Sequence, residues 1–70
     1  MKLHYYPETD SLYISLSDGV AVDAVEISDG LVADLDRDGK VVSLDIDEAS
    51  GHLDLSRIET IDLPVASKAS

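Results

Sequence analysis

Residues 31–46, Leu-Val-Ala-Asp-Leu-Asp-Arg-Asp-Gly-Lys-Val-Val-Ser-Leu-Asp-Ile, constrain the fold of this chain more than any other stretch. Apolar and polar residues alternate on both sides of Asp38-Gly39. That dipeptide readily takes the positive φ angles of a tight hairpin turn. A two-residue turn there sets Arg37 against Lys40, Leu35 against Val42, Ala33 against Leu44 and Leu31 against Ile46. Strand side chains alternate with period 2, so these apolar pairs share one face, while Asp34/Ser43 and Val32/Asp45 fall on the other. Turn chemistry and apolar pattern select the same register, and a slip of one residue would carry the apolar set into water.

The rest of the chain repeats this logic less cleanly. Residues 2–6 and 12–16 read as two strands joined by Pro7-Glu8-Thr9-Asp10. A four-residue loop pairs Tyr5 with Leu12 and Leu3 with Ile14, leaving His4, Tyr6, Tyr13 and Ser15 on the opposite face. Residues 20–27 form a further strand after the turn signal Ser17-Asp18-Gly19. Its apolar parity changes midway, which calls for a bulge near Asp23-Ala24 or a late start. Ser28-Asp29-Gly30 then reads as a three-residue hairpin loop pairing Ile27 with Leu31 and Val25 with Ala33.

Strand signals stop after Ile46. Residues 47–51 read as a helical turn closed by Gly51, and Asp54 is placed to cap a short helix over residues 55–60 with Leu55 and Ile58 toward the sheet. The expected fold is α+β, mainly β: a five-strand antiparallel meander with a short C-terminal helix. Residues 1–63 make one domain, and residues 64–70 a frayed tail.

A chain of 70 residues has a marginal core, burying about 60% of its unfolded surface. Small domains gain stability from disulfides, metals or oligomerisation. With no cysteine, disulfides and thiolate metal sites are excluded and nothing points to an oxidising compartment. One small helix covers too little of the apolar face, so a homodimer is expected.

Fifteen acidic against five basic residues give a formal charge of −10. Such a surface repels nucleic acid and anionic lipid, and speeds encounter with a basic partner. No apolar run approaches the roughly 20 residues of a membrane span, and the first residues lack a signal-peptide core. A cytoplasmic location is therefore expected.

Three site readings compete. Asp34, Asp36 and Asp45 form an acidic rim for a protein partner. Alternatively, Asp34, Asp36, Asp38, Gly39, Val41 and Asp45 match the positions of a calcium loop. Against that, both flanks alternate with strand period, whereas helices flank an EF-hand loop, and the last acid is Asp rather than the longer Glu. Thirdly, His4 with the Glu8/Asp10 loop offers an acid–base set. No HExxH spacing, serine-nucleophile motif or phosphate-cradling glycine loop accompanies it, so a non-enzymatic domain without cofactor is expected.

Tyr5-Tyr-Pro-Glu-Thr-Asp10-Ser-Leu12-Tyr13-Ile14, Gly30-Leu-Val-Ala-Asp34-Leu-Asp36-Arg-Asp-Gly39-Lys-Val-Val and Ala49-Ser50 together resemble the Domain of Unknown Function 2283 family, over roughly residues 1–52. Members read Gly-Ile-Glu-Ile where this chain has Ser43-Leu44-Asp45-Ile46. The resemblance implies a small prokaryotic protein with no established activity. Some members are encoded beside small toxins, which implies an antitoxin-like partner of a small basic protein.

Overall fold

In the computed structural model, which describes residues 1–64, strands β1 (Lys2–Tyr6), β2 (Ser11–Ser15), β3 (Asp23–Ser28), β4 (Leu31–Leu35) and β5 (Val41–Ile46) form one antiparallel sheet, followed by the single turn of helix α1 (Ala49–His52). The tail expected over residues 64–70 lies, from 65 onward, outside the described residues.

The sheet is antiparallel and five-stranded with a short helix after it, but its strand order is β1-β2-β5-β4-β3, not the sequential order of a meander. Three hairpin-connected strands, β3 to β5, fold back so that β5 lies beside β2, a Greek-key arrangement. The physical reason lies in β5, which carries buried Val42, Ser43 and Ile46 and takes the centre. Strands β1 and β3 are exposed along their whole length and form the edges. Residues 16–22 make the crossing. Seven extended residues reach about 23 Å, ample for the roughly 14 Å across three strand spacings. The Leu16 and Ser17 amides donate to the Val42 carbonyl at 2.8 and 3.3 Å, and the Val22 amide to the Leu35 carbonyl at 2.8 Å. The crossing segment is thereby tied to the ends of the strands it passes.

Side chains fall into rows across the sheet. One apolar row runs Tyr5–Leu12–Ile46–Leu31, and the next runs Leu3–Ile14–Leu44–Ala33–Val25. On the other face the rows are His4–Tyr13–Asp45–Val32–Glu26 and Lys2–Ser15–Ser43–Asp34–Ala24. The core sits under the first apolar row, where Leu12, Ile46 and Ala49 are buried and Ile14, Leu31 and Leu55 pack against them.

Both later hairpins turn one residue away from the expected position, and a bulge beside each turn restores the register. At β4–β5 the Gly39 amide donates to the Asp36 carbonyl at 3.0 Å and the Asp36 amide to the Lys40 carbonyl at 2.9 Å, so the loop holds three residues, 37–39. The Asp36 carboxylate also accepts the Asp38 and Lys40 amides at 2.8 and 2.9 Å. Only Gly39, at φ 80°, is left-handed there, which spares Asp38 the positive φ of a two-residue turn. Leu35 then faces Val41 rather than Val42, and the register shift that follows restores Asp34/Ser43, Ala33/Leu44 and Leu31/Ile46. At β3–β4, Ser28 rather than Ile27 faces Leu31, and the shift between Glu26 and Ser28 restores Val25/Ala33. The strand begins late, at Asp23.

The C-terminal segment also differs from expectation. Gly51 lies inside α1, and no helix forms over residues 55–60. The Asp54 carboxylate takes the Ser56 amide at 3.1 Å and hydroxyl at 2.5 Å, closing a turn at residues 55–56 in place of the helix. Leu55 reaches the core as expected, whereas Ile58 stays exposed. Among the described residues no helix is long and apolar enough to cross a membrane.

Candidate functional site

The strongest concentration of unusual chemistry lies on the polar face, where β5 crosses the centre of the sheet. Asp34 on β4 stands opposite Ser43, and Asp45 opposite Val32, so the two carboxyls are diagonal neighbours on adjacent strands. The Ser43 hydroxyl donates to Asp34 Oδ2 at 2.7 Å, and the Asp45 carboxyl, when protonated, donates to Asp34. Two carboxylates this close cannot both ionise freely. The Asp45 pKa is pushed up to about 6 by the hydrogen bond to Asp34, by desolvation, and by the charges of Asp34 and Asp47, so Asp45 holds a proton only below about that pH. Asp34 is held below its ordinary value by the same hydrogen bond and by that from Ser43.

Glu26 lies in the same row as Asp45, two strands away. At the end of the sheet a shallow depression of about 500 Å³ is lined by Glu26, Asp29, Val32, Asp47, Glu48 and His52 among others. Across β2, Tyr13 sits directly beside Asp45, with His4 next to it on β1. The His4 ring stacks on Tyr6 at a centroid distance of 4.1 Å. The polar face is thus acidic over β3 to β5, while β1 and β2 carry His4, Tyr6 and Tyr13 with Lys2 at one end. Among the described residues the only ion pair joins Arg57 to Glu59, so no Lys or Arg neutralises these carboxylates.

Of the expected rim, Asp34 and Asp45 meet, whereas Asp36 is spent on the backbone amides of its own turn. Asp34, Asp36 and Asp38 do not converge as a calcium loop requires. No group of three or more His, Cys, Asp or Glu among the described residues is placed to hold a metal ion.

His4 and Asp10 are likewise separated: alternation puts His4 on the polar face, while Asp10 is engaged elsewhere. The Asp10 carboxylate accepts the Tyr5 hydroxyl at 2.7 Å, and from Ser50 the hydroxyl at 2.7 Å and the amide at 3.1 Å. Its carbonyl accepts the Ala49 amide at 2.8 Å. Residue 48, which precedes the helix, gives no side-chain cap, so Asp10 caps α1 from the far end of the sequence. These hydrogen bonds, Ser50 foremost, hold the Asp10 carboxyl below its ordinary range, and the bond to Asp10 raises the Tyr5 hydroxyl. Asp10 is a structural tie.

Sequence reasoning placed Tyr13 on the polar side of the first hairpin but not beside Asp45, and it did not single out Glu26 and Asp47. The Tyr13–Asp45 adjacency depends on β5 lying between β2 and β4, which no local signal in either strand encodes, whereas Glu26 reaches the Asp45 row through the β3–β4–β5 hairpins alone.

The fold and this face define a small antiparallel β-protein with a segregated surface, apolar on one side and acidic on the other. A family model described as protein of unknown function (DUF2283) matches residues 2–50, and the chain belongs to that family. The match takes in every strand and the Asp10–Ser50 tie. No curated protein and no solved structure matches the chain.

Proposed function

We propose that this chain is a protein-interaction domain whose polar sheet face binds a small basic protein. One observation carries the reading: Asp34, Asp45, Asp47 and Glu26 share that face without a single Lys or Arg ion-paired to them among the described residues. Near pH 7 the Asp45 carboxyl, with its pKa of about 6, is mostly ionised beside Asp34. An arriving ammonium or guanidinium relieves that repulsion, and Tyr13 beside Asp45 offers its ring to the same cation. The net charge of −10 steers such a partner from a distance and makes association salt-dependent.

In this reading the domain acts by binding rather than turnover, as an antitoxin-like partner does. The cysteine-free composition suits the cytoplasm. Affinity purification of the tagged full chain from its own host, beside an Asp34→Asn/Asp45→Asn double variant, tests the proposal. A small basic protein recovered in stoichiometric amount with the parent chain, lost from the variant and eluted by salt, supports it. Recovery of the bait alone, or a partner held equally by both chains, overturns it.

A further inference from the structure

The apolar face poses a separate question. Its first row, Tyr5–Leu12–Ile46–Leu31, is partly roofed by Ala49 and Leu55. The second row, Leu3–Ile14–Leu44–Ala33–Val25, spans all five strands, and its two ends, Leu3 and Val25, stand 47% and 43% exposed. We infer that this second apolar row is where another copy of the chain docks, sheet against sheet.

Area and charge both favour a second copy. Leu3, Tyr5, Val25, Leu53 and Ile58 are all exposed, the last at 73%, and Ile14, Leu35 and Leu44 are only half-buried. Together these side chains offer roughly 300–500 Å² of apolar surface. A specific interface of standard size buries about 800 Å² per partner, a little over half of it apolar, and this face supplies most of that apolar share. The need is equally plain, since no large side chain of the described chain is fully buried.

Charge is segregated accordingly. Asp23, at the edge, is the one charged strand residue in register with the apolar rows, facing Leu35. Two copies meeting through this face therefore keep Asp34, Asp45 and Glu26 on the outside of the sandwich, away from one another. Aligned sheets pack about 10 Å apart. Between β1–β2 and the C-terminal segment a groove of about 380 Å³ is open to receive side chains of the other copy, its floor Leu3, Leu12 and Ile14 and its outer wall Leu55 and Ile58 with Asp54 and the Arg57–Glu59 ion pair at the rim.

Pairing through the β3 edge is the poorer route. On β3 the Asp23 carboxylate already takes the Ala24 amide at 2.8 Å, and the register breaks at Ile27. Such features blunt an edge strand.

This inference goes beyond the basic-partner reading and stands or falls without it. Sedimentation equilibrium of the full chain across the micromolar range tests it. The expected result is twice the mass of the 7.5 kDa chain. Leu3→Lys and Val25→Lys, both at exposed strand positions, are expected to weaken the dimer by about tenfold or more with the far-ultraviolet spectrum unchanged, while Asp34→Asn leaves it intact. Because a variant can fail for other reasons, intermolecular nuclear Overhauser effects in a mixed-label sample of the parent chain provide a second readout. Cross-copy contacts from the methyls of Ile14, Leu44 and Val25 support the inference. A monomer throughout, or cross-copy contacts arising from Tyr13 and His4 instead, overturns it.

Discussion

Asp10 and Ser50 meet across forty positions of the chain, the Ser50 hydroxyl donating to Asp10 Oδ2 at 2.7 Å and its amide to Oδ1 at 3.1 Å. This contact, with the Ala49 amide on the Asp10 carbonyl, fixes α1 over the apolar face and thereby closes the core around Leu12 and Ile46. Asp10 has φ 54°, a left-handed conformation that Asn tolerates, so Asp10→Asn tests the carboxylate without straining the backbone. The variant is expected to lower Tm more than any other single Asp→Asn change in the chain, and Ser50→Ala to lower it less. Because the folded-state pKa of Asp10 is depressed, its contribution is present above the unfolded value near 3.8 and lost as pH falls through the folded one. The deficit of Asp10→Asn therefore shrinks in strong acid. Thermal melts between pH 2 and 7 check both statements, and a deficit independent of pH would falsify the second.

Asp45 behaves with the opposite sign. Its folded-state pKa is raised from 3.8 to about 6, so the folded protein holds a proton that the unfolded chain releases. The stability this confers is fully present below about pH 4 and is lost as pH rises through about 6. Asp45→Asn removes the titration and keeps a donor for Asp34. Its Tm, compared with the parent chain, is expected to be higher at pH 7 than at pH 4.5, where the difference narrows. Paired melts at these two pH values decide it, and equal differences would show that the Asp34–Asp45 hydrogen bond does not form in solution.

The interior of each hairpin was legible because apolar parity determines it: Leu31/Ile46, Ala33/Leu44, Val25/Ala33 and the whole β1–β2 register follow from which residues must share a face. The turns were not, because their geometry is decided by side chain to backbone hydrogen bonds. The Asp36 carboxylate claims the Asp38 and Lys40 amides and draws the chain into a three-residue loop, and the bulge at Val41–Val42 absorbs the difference. Strand order was hidden for another reason. Pairing β2 with β5 depends on burial gained across thirty residues of chain, and only that pairing sets Tyr13 against Asp45. The carboxyl pair itself could be read from the β4–β5 hairpin alone, as diagonal neighbours on its polar face.

Gly19 is required by space rather than by backbone conformation. A Cβ at this position falls 2.7 Å from Val42 Cγ1, and Val42 is buried beneath the crossing segment. A valine held in a packed site has little rotamer freedom with which to yield. Gly19→Ala is expected to destabilise the fold by about 1–3 kcal/mol, the usual cost of overpacking. In a Val42→Ala background the same substitution should cost almost nothing. The double-mutant cycle, by urea denaturation, measures this coupling. Additive effects would place the methyl elsewhere.

Gly39 presents the converse case, with φ 80° and no atom within 4 Å of an added Cβ. Substitution there meets strain but no clash. A non-glycine residue in the left-handed region costs roughly 1–2 kcal/mol, less for Asn, and β-branched residues fare worst. The expected order of stability is therefore Gly39, then Gly39→Asn, Gly39→Ala and Gly39→Val, and at Gly19 Asn should bring no such recovery over Ala. Because the loop projects beyond the paired strands, the penalty at Gly39 is local, and hydrogen exchange at the β2–β5 amides of the Gly39→Ala variant should speed up only in proportion to its global loss of stability. A reversed order of Asn and Ala would mean that the turn had rebuilt itself as the two-residue form centred on Asp38-Gly39.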